Sequence, residues 1–309
     1  MTPQEQEAVL RIAFLAAAAD GAHDDREREE LRRIAASLPD APHGAALLQD
    51  ALLGRVGVAE AVRPLASDGA RQLAFEMAVC VCDADGAQSP AEKAFLASLR
   101  EALGLDRAKS EAFSAQAEAL AASPVSASGP LEPPLAATMS PAELDAMVLN
   151  YSILNGALEL LPQSLASMAI IPLQMKMVYR IGKAHGYELD RGHVKDFLAT
   201  VGVGLTSQYL EQYGRKLVGG LLGKLAGGLG RAIGSAATGA GFSFVTTYAL
   251  GQVARRYYAG GRTLSADVLR QSFASMQGQG KGLFETYRGQ VQEKARTLDV
   301  AEVLRSVKA

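Results

Sequence analysis

Four carboxylates occupy matched places in the first hundred residues. The stretch "ADGAHDDREREEL", Ala19 to Leu31, aligns without a gap on "ADGAQSPAEKAFL", Ala84 to Leu96, at an offset of 65. Asp20 and Glu27 in the first copy correspond to Asp85 and Glu92 in the second. Two such pairs, related by a pseudo-symmetry, have the chemistry to hold a weakly bound divalent cation, because hard cations take carboxylate oxygens. The same residue types at the start of a helix also cap free N–H groups and complement its dipole. Both readings stand at this stage. The Asx spacing of an EF-hand loop is absent.

Other chemistry is thinly supplied. The chain has four histidines, His23, His43, His185 and His193. The last two flank "GYELDRG", where a site with Asp190 is conceivable, but structural or surface roles are the plainer reading. The two cysteines, Cys80 and Cys82, form a C-x-C, and on a helix their side chains diverge by about 200°. They are expected to be a buried, reduced pair. The chain contains no G-x-x-x-x-G-K-[ST], no G-x-S-x-G, no H-E-x-x-H and no C-x-x-C. Catalytic and cofactor residues are therefore expected to be absent, and the protein is read as non-enzymatic.

The elements that must position the carboxylates are helices. Aromatic residues are 6% of the 309 and there is no Trp, so sheet-building runs are scarce. The fold class expected is all-α. In each copy of the repeat a helix precedes A-D-G-A and another follows, which is a duplicated helix-turn-helix. Gly21 and Gly86 supply the turns. Thr2-Pro3-Gln4-Glu5, Ser89-Pro90-Ala91-Glu92 and Ser140-Pro141-Ala142-Glu143 are capping boxes with Pro at the first helical position, and they predict three helix starts.

The duplicated "ADGA…E…L" resembles the tellurite-resistance TerB-like helical domain. It is also similar to the N-terminal domain of some membrane-anchored J-domain co-chaperones. The resemblance covers roughly residues 5 to 120. It implies an acidic all-α module linked to metal stress and membrane complexes, with Asp20, Glu27, Asp85 and Glu92 at its acidic motif positions. The second copy has Ser89-Pro90 where the first has Asp24-Asp25, so the two halves are not expected to bind an ion equally.

Residues 121–140, "AASPVSASGPLEPPLAATMS", hold four prolines and four serines and read as an extended linker. The composition changes beyond it. Pro162 and Pro172 break a long apolar stretch. Residues 216–241, "KLVGGLLGKLAGGLGRAIGSAATGAG", hold nine glycines, and each interior helical Gly costs roughly 0.5–1 kcal/mol relative to Ala. Gly219, Gly223 and Gly227, then Gly230 and Gly234, recur every four residues and predict a helix face that another backbone can approach closely, as in small-x-x-x-small packing in lipid. Lys216, Lys224 and Arg231 fall within about 80° on that helix and form a basic stripe of the membrane-surface kind. From Ala232 to Ala254 there is no charge, and Arg255-Arg256 follows. That length could span a bilayer with a basic flank, although Gly, Ser, Thr and Ala make it only weakly apolar. Lipid insertion, surface binding and packing within protein are the three alternatives. A further glycine-rich hinge is expected at "MQGQGKG", ahead of a C-terminal amphipathic helix.

This back half is similar to the YcjF-like domain. The resemblance rests on Pro172-Leu173, the Gln174 helix with Gly182 and His185-Gly186-Tyr187, and the Gly/Ala hairpin ending in Tyr248-Ala-Leu-Gly251. It covers about residues 150 to 275. It implies a bacterial, membrane-associated domain found beside or fused to GTPases, with no catalytic residues to carry over.

The domains expected are therefore 1–120 (TerB-like), 121–140 (linker), 141–275 (YcjF-like, glycine-rich) and 276–309 (hinge and terminal helix). The net charge of −2 hides a split. Residues 1–123 carry 12 basic and 20 acidic side chains, net −8, and residues 124–309 carry 19 and 13, net +6. Such asymmetry points to different partners for the two halves. The basic half is expected to face the bacterial inner membrane or other anionic lipid, and not nucleic acid, because no stacking aromatics interleave with its cations. The acidic half is expected to bind a protein partner or a cation. The N-terminus lacks a basic region followed by an apolar core, so no secretory signal is expected. The sequence reading is a cytoplasmic adaptor at the inner membrane that self-associates into a homo-oligomer. Its alternatives are a soluble homo-oligomer packed through glycine-zipper helices, or a regulator of a GTPase.

Overall fold

The structure, a computed structural model, describes residues 1–21, 41–84, 87–125, 139–161, 164–203 and 229–308, with Arg32, Ala35, Gln208 and Leu210 in addition. Among the described residues every regular element is a helix. The chain divides into two compact units. One comprises Met1–Ala122 and Gly204–Ser235, the other Ser123–Val203 and Ala236–Ala309.

In the N-terminal unit the helices are α1 (Pro3–Ala17), α2 (Ala41–Leu52), α3 (Val58–Ala61), α4 (Asp68–Cys82), α5 (Pro90–Leu103) and α6 (Arg107–Ala121). The helices that precede A-D-G-A in the two repeat copies, α1 and α4, pack along each other at the centre, and the others flank them. Thr2 and Ser89 each accept from the backbone three residues on while Glu5 and Glu92 reach back, so both capping boxes form, with Pro at the first turn. Gly21 turns the chain after α1 at φ 65°, in the left-handed region that favours glycine. Apolar spacing then sets what is buried. Val9, Ile12, Ala13 and Phe14 of α1 and Phe75, Met77, Ala78 and Val81 of α4 are all nearly inaccessible. Leu96, Leu99 and Leu103 of α5 close the core at helical spacing.

The C-terminal unit contains α7 (Pro141–Glu159), α8 (Ser164–Met168), α9 (Ile170–Ala184), α10 (Arg191–Val201), α11 (Leu229–Ala259, from Ala236), α12 (Ala266–Thr297) and α13 (Val300–Lys308). Ser140 makes the third capping box, at the start of α7. Pro172 does not kink a helix. It stands in the first turn of α9, where a missing N–H costs nothing. All of α9 except Lys183 is buried, so this helix runs through the middle of the unit. A core cluster of Ala157, Ala240, Phe244, Val245, Phe284 and Val291 joins α7, α11 and α12.

Two sequence expectations change here. The run "MQGQGKG" is not a hinge: α12 continues unbroken through Gly278, Gly280 and Gly282. At Gly280 an added Cβ would meet Val245 and Tyr248 side chains at 3.3 Å, so the glycine lets α12 lie close to α11 and the packing offsets its poor propensity. Nor is any described helix long and apolar enough to cross a membrane, the described part of Ala232–Ala254 included. The reason is chemical. Ser243, Thr246 and Thr247 of that stretch are buried, and their hydroxyls lower its hydropathy while two of them serve polar groups of neighbouring helices.

Candidate functional site

The repeat carboxylates come first. Asp20 is exposed on the turn after α1, and Glu92 sits at the start of α5. Glu27 and Asp85 lie outside the described residues, as do His23 and Gly86. One Glu92 carboxylate oxygen accepts from the Ser89 amide at 2.7 Å, so Glu92 acts as a helix cap. Asp20 and Glu92, one from each copy, nevertheless both act electrostatically on Cys82. Burial pushes the Cys82 thiol well above its ordinary pKa, and the negative charges of Glu92, Asp83 and Asp20 add to the rise. Asp83 was not legible as special. It is fully buried and accepts from the Gln88 amide at 2.9 Å, and its counterpart in the first copy is Ala18, so the repeat pattern carried no signal for it. Cys80 and Cys82 are buried and unlinked. Among the described residues no group of three His, Cys, Asp or Glu is arranged to hold a metal ion.

A second carboxylate does more than its motif implied. Glu5 is 3% exposed. It accepts from the Thr2 amide and from the Ser67 amide, each at 2.8 Å, and so ties the start of α1 to the start of α4. These bonds to the charged form hold its pKa down at about 2, the Thr2 amide contributing most.

Of the glycine-face residues, Gly219, Gly223, Gly227, Lys216 and Lys224 lie outside the described residues. Gly230, Arg231 and Gly234 belong to the first turns of α11, with side chains outside the described set. Two glycines elsewhere in the C-terminal unit are close-approach points. A Cβ on Gly251 would meet Val148 at 2.6 Å, and one on Gly156 would meet the Ala240 carbonyl at 3.1 Å.

Between those contacts runs a buried polar seam. The Asn155 and Gln174 amides both donate to the Thr247 hydroxyl at 3.0 Å, and Ser243 donates to Glu159 at 3.0 Å. Lys176 of α9, 3% exposed, donates to the Ser306 carbonyl at 2.8 Å and so caps the last turn of α13. Sequence periodicity could not show these bonds, which join residues 73 to 130 positions apart.

At the rim of the same unit is an open cleft of about 320 Å³, lined by Met139, Pro141, Leu144, His185, Gln252, Arg255, Arg256 and Ala259. Arg255 is fixed there. Its guanidinium donates to Asp145, to Gln252 Oε1 at 3.0 Å and to the Pro141 carbonyl at 3.4 Å. Arg256 is exposed and makes no ion pair among the described residues. His185 Nε2 is buried and has no hydrogen-bond partner among the described residues. Burial, then the Arg255 charge, holds the His185 pKa below its usual value. His193 instead pairs with Asp190 at 2.8 Å, where Asp190 caps α10. The structure therefore does not gather His185, His193 and Asp190 into one metal site. The sequence marked Arg255-Arg256 as a flank to an apolar run, but 70 positions separate it from His185, and no spacing rule joins them.

The comparisons reach only the first of the two units. Residues 1–117 match the family described as "Protein of unknown function (DUF533)". This is a TerB-like family, which agrees with the resemblance carried by the duplicated motif. No curated protein and no solved structure matches the chain.

Proposed function

We propose that the chain is a non-enzymatic, two-module adaptor that works at the surface of an anionic bacterial membrane. The basic C-terminal module holds to lipid headgroups, and the acidic TerB-like module presents itself to a protein partner. The observation that carries this reading is the segregation of charge: the unit of residues 1–122 and 204–235 carries net −5 and the unit of residues 123–203 and 236–309 net +3, on a chain whose sum is only −2. Uniform surfaces do not need such a split, and a basic surface gains attraction to anionic lipid that falls off within a Debye length. The chemistry also favours surface contact over insertion. No described helix can cross a bilayer, and the large apolar side chains exposed among the described residues are only Met1, Leu53 and Val268.

The mechanism is tethering. A covalent link between the two modules would raise the effective concentration of whatever the front module binds near the membrane. The resemblance of residues 150–275 to YcjF-like domains fits such a role beside a membrane GTPase.

Flotation of the full chain on vesicles containing anionic phospholipid tests the reading. The expected result is flotation in low salt that is lost in about 0.5 M NaCl, because screening shortens the Debye length several-fold. Flotation that resists salt and carbonate washes, or none at all, overturns it.

A further inference from the structure

The cleft beside α7, α9 and α11 has a composition that the adaptor reading does not use. Three features of its lining point the same way. Arg256 is a guanidinium facing the cleft with no ion pair among the described residues. His185 Nε2 is a buried polar atom without a hydrogen-bond partner among the described residues, and such atoms ask for a ligand or a water. Gln252 and Arg255, the other polar groups, are locked together through Asp145, so they form a rigid back wall. Asp145 neutralises Arg255, and among the described residues nothing neutralises Arg256. The first turn of α7, at Pro141 and Leu144, borders the same space.

We propose that this cleft binds a phosphate monoester. Arg256 would supply the charge and a two-pronged set of donors, and His185 a third donor from the α9 side. Donors arriving from two helices suit a tetrahedral group with three free oxygens better than a planar carboxylate with two. The apolar share of the lining, Met139, Leu144 and Ala259, would take the carbon side of the ester. A volume of about 320 Å³ fits a phosphate with a small organic group and excludes a nucleic-acid strand. The monoester could come from a free metabolite or from the headgroup of phosphatidate, and the chemistry of recognition is the same.

The test uses the full chain and two readouts. Glycerol 3-phosphate is titrated by calorimetry, and flotation is compared on vesicles carrying phosphatidate, a monoester, or phosphatidylglycerol, a diester. The variants are Arg256→Ala, at an exposed position that leaves the core intact, and His185→Gln, which keeps a donor but not the ring. The cleft predicts that Arg256→Ala weakens monoester binding at least tenfold and that His185→Gln weakens it less. Glycerol phosphate binding that depends on Arg256 assigns the site to a soluble ester, even if no vesicle is bound and the membrane reading falls. An Arg256-dependent preference for phosphatidate over phosphatidylglycerol, without soluble binding, assigns it to the lipid headgroup. Equal flotation on both lipids, unchanged by either variant, keeps the membrane reading and overturns the cleft. No binding to any of the three probes also overturns it.

Discussion

At the scale of single residues, two buried groups make the sharpest claims. Glu5 is a carboxylate whose folded pKa lies at about 2, below its ordinary value of 4.5, because two backbone amides bond its charged form. A depressed pKa means stability that is present above the unfolded value and lost as pH falls through the folded one. Glu5→Gln should therefore lower the denaturation midpoint of the protein at pH 7. The gap between variant and parent should close between about pH 4.5 and pH 2. A gap that stays constant over that window would mean the carboxylate charge contributes nothing. Cys82 is the opposite case. Burial and three neighbouring carboxylates disfavour its thiolate, and the thiolate is the nucleophile. Both cysteines should stay unmodified by a thiol reagent at pH 8 until denaturant is added, and labelling in the native protein within minutes would contradict this. The sequence made the Thr2–Glu5 capping box legible, since its spacing is local. The bond from Ser67 to Glu5 was not, because it depends on α1 and α4 lying side by side.

At the scale of helices, glycine is the residue whose role most needs tertiary context. The sequence set its cost against three possible gains, and Gly156, Gly241, Gly251 and Gly280 of the C-terminal unit show close packing inside the protein. Gly251 is the clearest. Any Cβ there would come within 2.6 and 2.7 Å of the two Val148 methyls and 3.2 Å of the Met177 sulfur, and Val148 is fully buried with no room to turn. Gly251→Ala gains about 1 kcal/mol of helix propensity but overpacks the α7–α11 contact at a cost of about 1–3 kcal/mol. The expected net effect is destabilisation, seen as a lower urea midpoint. Gly278→Ala is the control, because nothing lies within 4 Å of its Cβ position, and there the propensity gain should raise the midpoint. Lys176 makes a second claim at this scale. Replacing it by Met removes the donor from the Ser306 carbonyl, and an unpaired buried acceptor costs about 1–3 kcal/mol. Amide exchange should then quicken through Val300–Lys308 before it changes elsewhere. Helix starts were legible because three capping boxes announce them. The continuity of α12 through "MQGQGKG" was not, because a glycine run reads as a break until the Val245 and Tyr248 surface beside Gly280 is known.

At the scale of the whole molecule, charge is the property that sequence alone shows most plainly, and it leads to a prediction about lipid. The two halves oppose each other. Residues 124–309 carry net +6 and residues 1–123 carry net −8, so the full chain approaches an anionic surface with an overall repulsion of −2. If the basic half is what holds the membrane, the acidic half weakens the long-range part of that attraction and leaves the local contact unchanged. A fragment of residues 124–309, once its helicity has been checked by circular dichroism, should bind anionic vesicles more tightly than the full chain at low ionic strength. The ratio of the two affinities should shrink towards one as salt shortens the Debye length from about 30 Å at 0.01 M to about 8 Å at 0.15 M. A ratio that stays fixed across that range would mean the front half blocks the lipid face by contact, and not by its field. Weaker binding by the fragment would place lipid contacts in the TerB-like half, and the assignment of roles to the two modules would then have to be reversed.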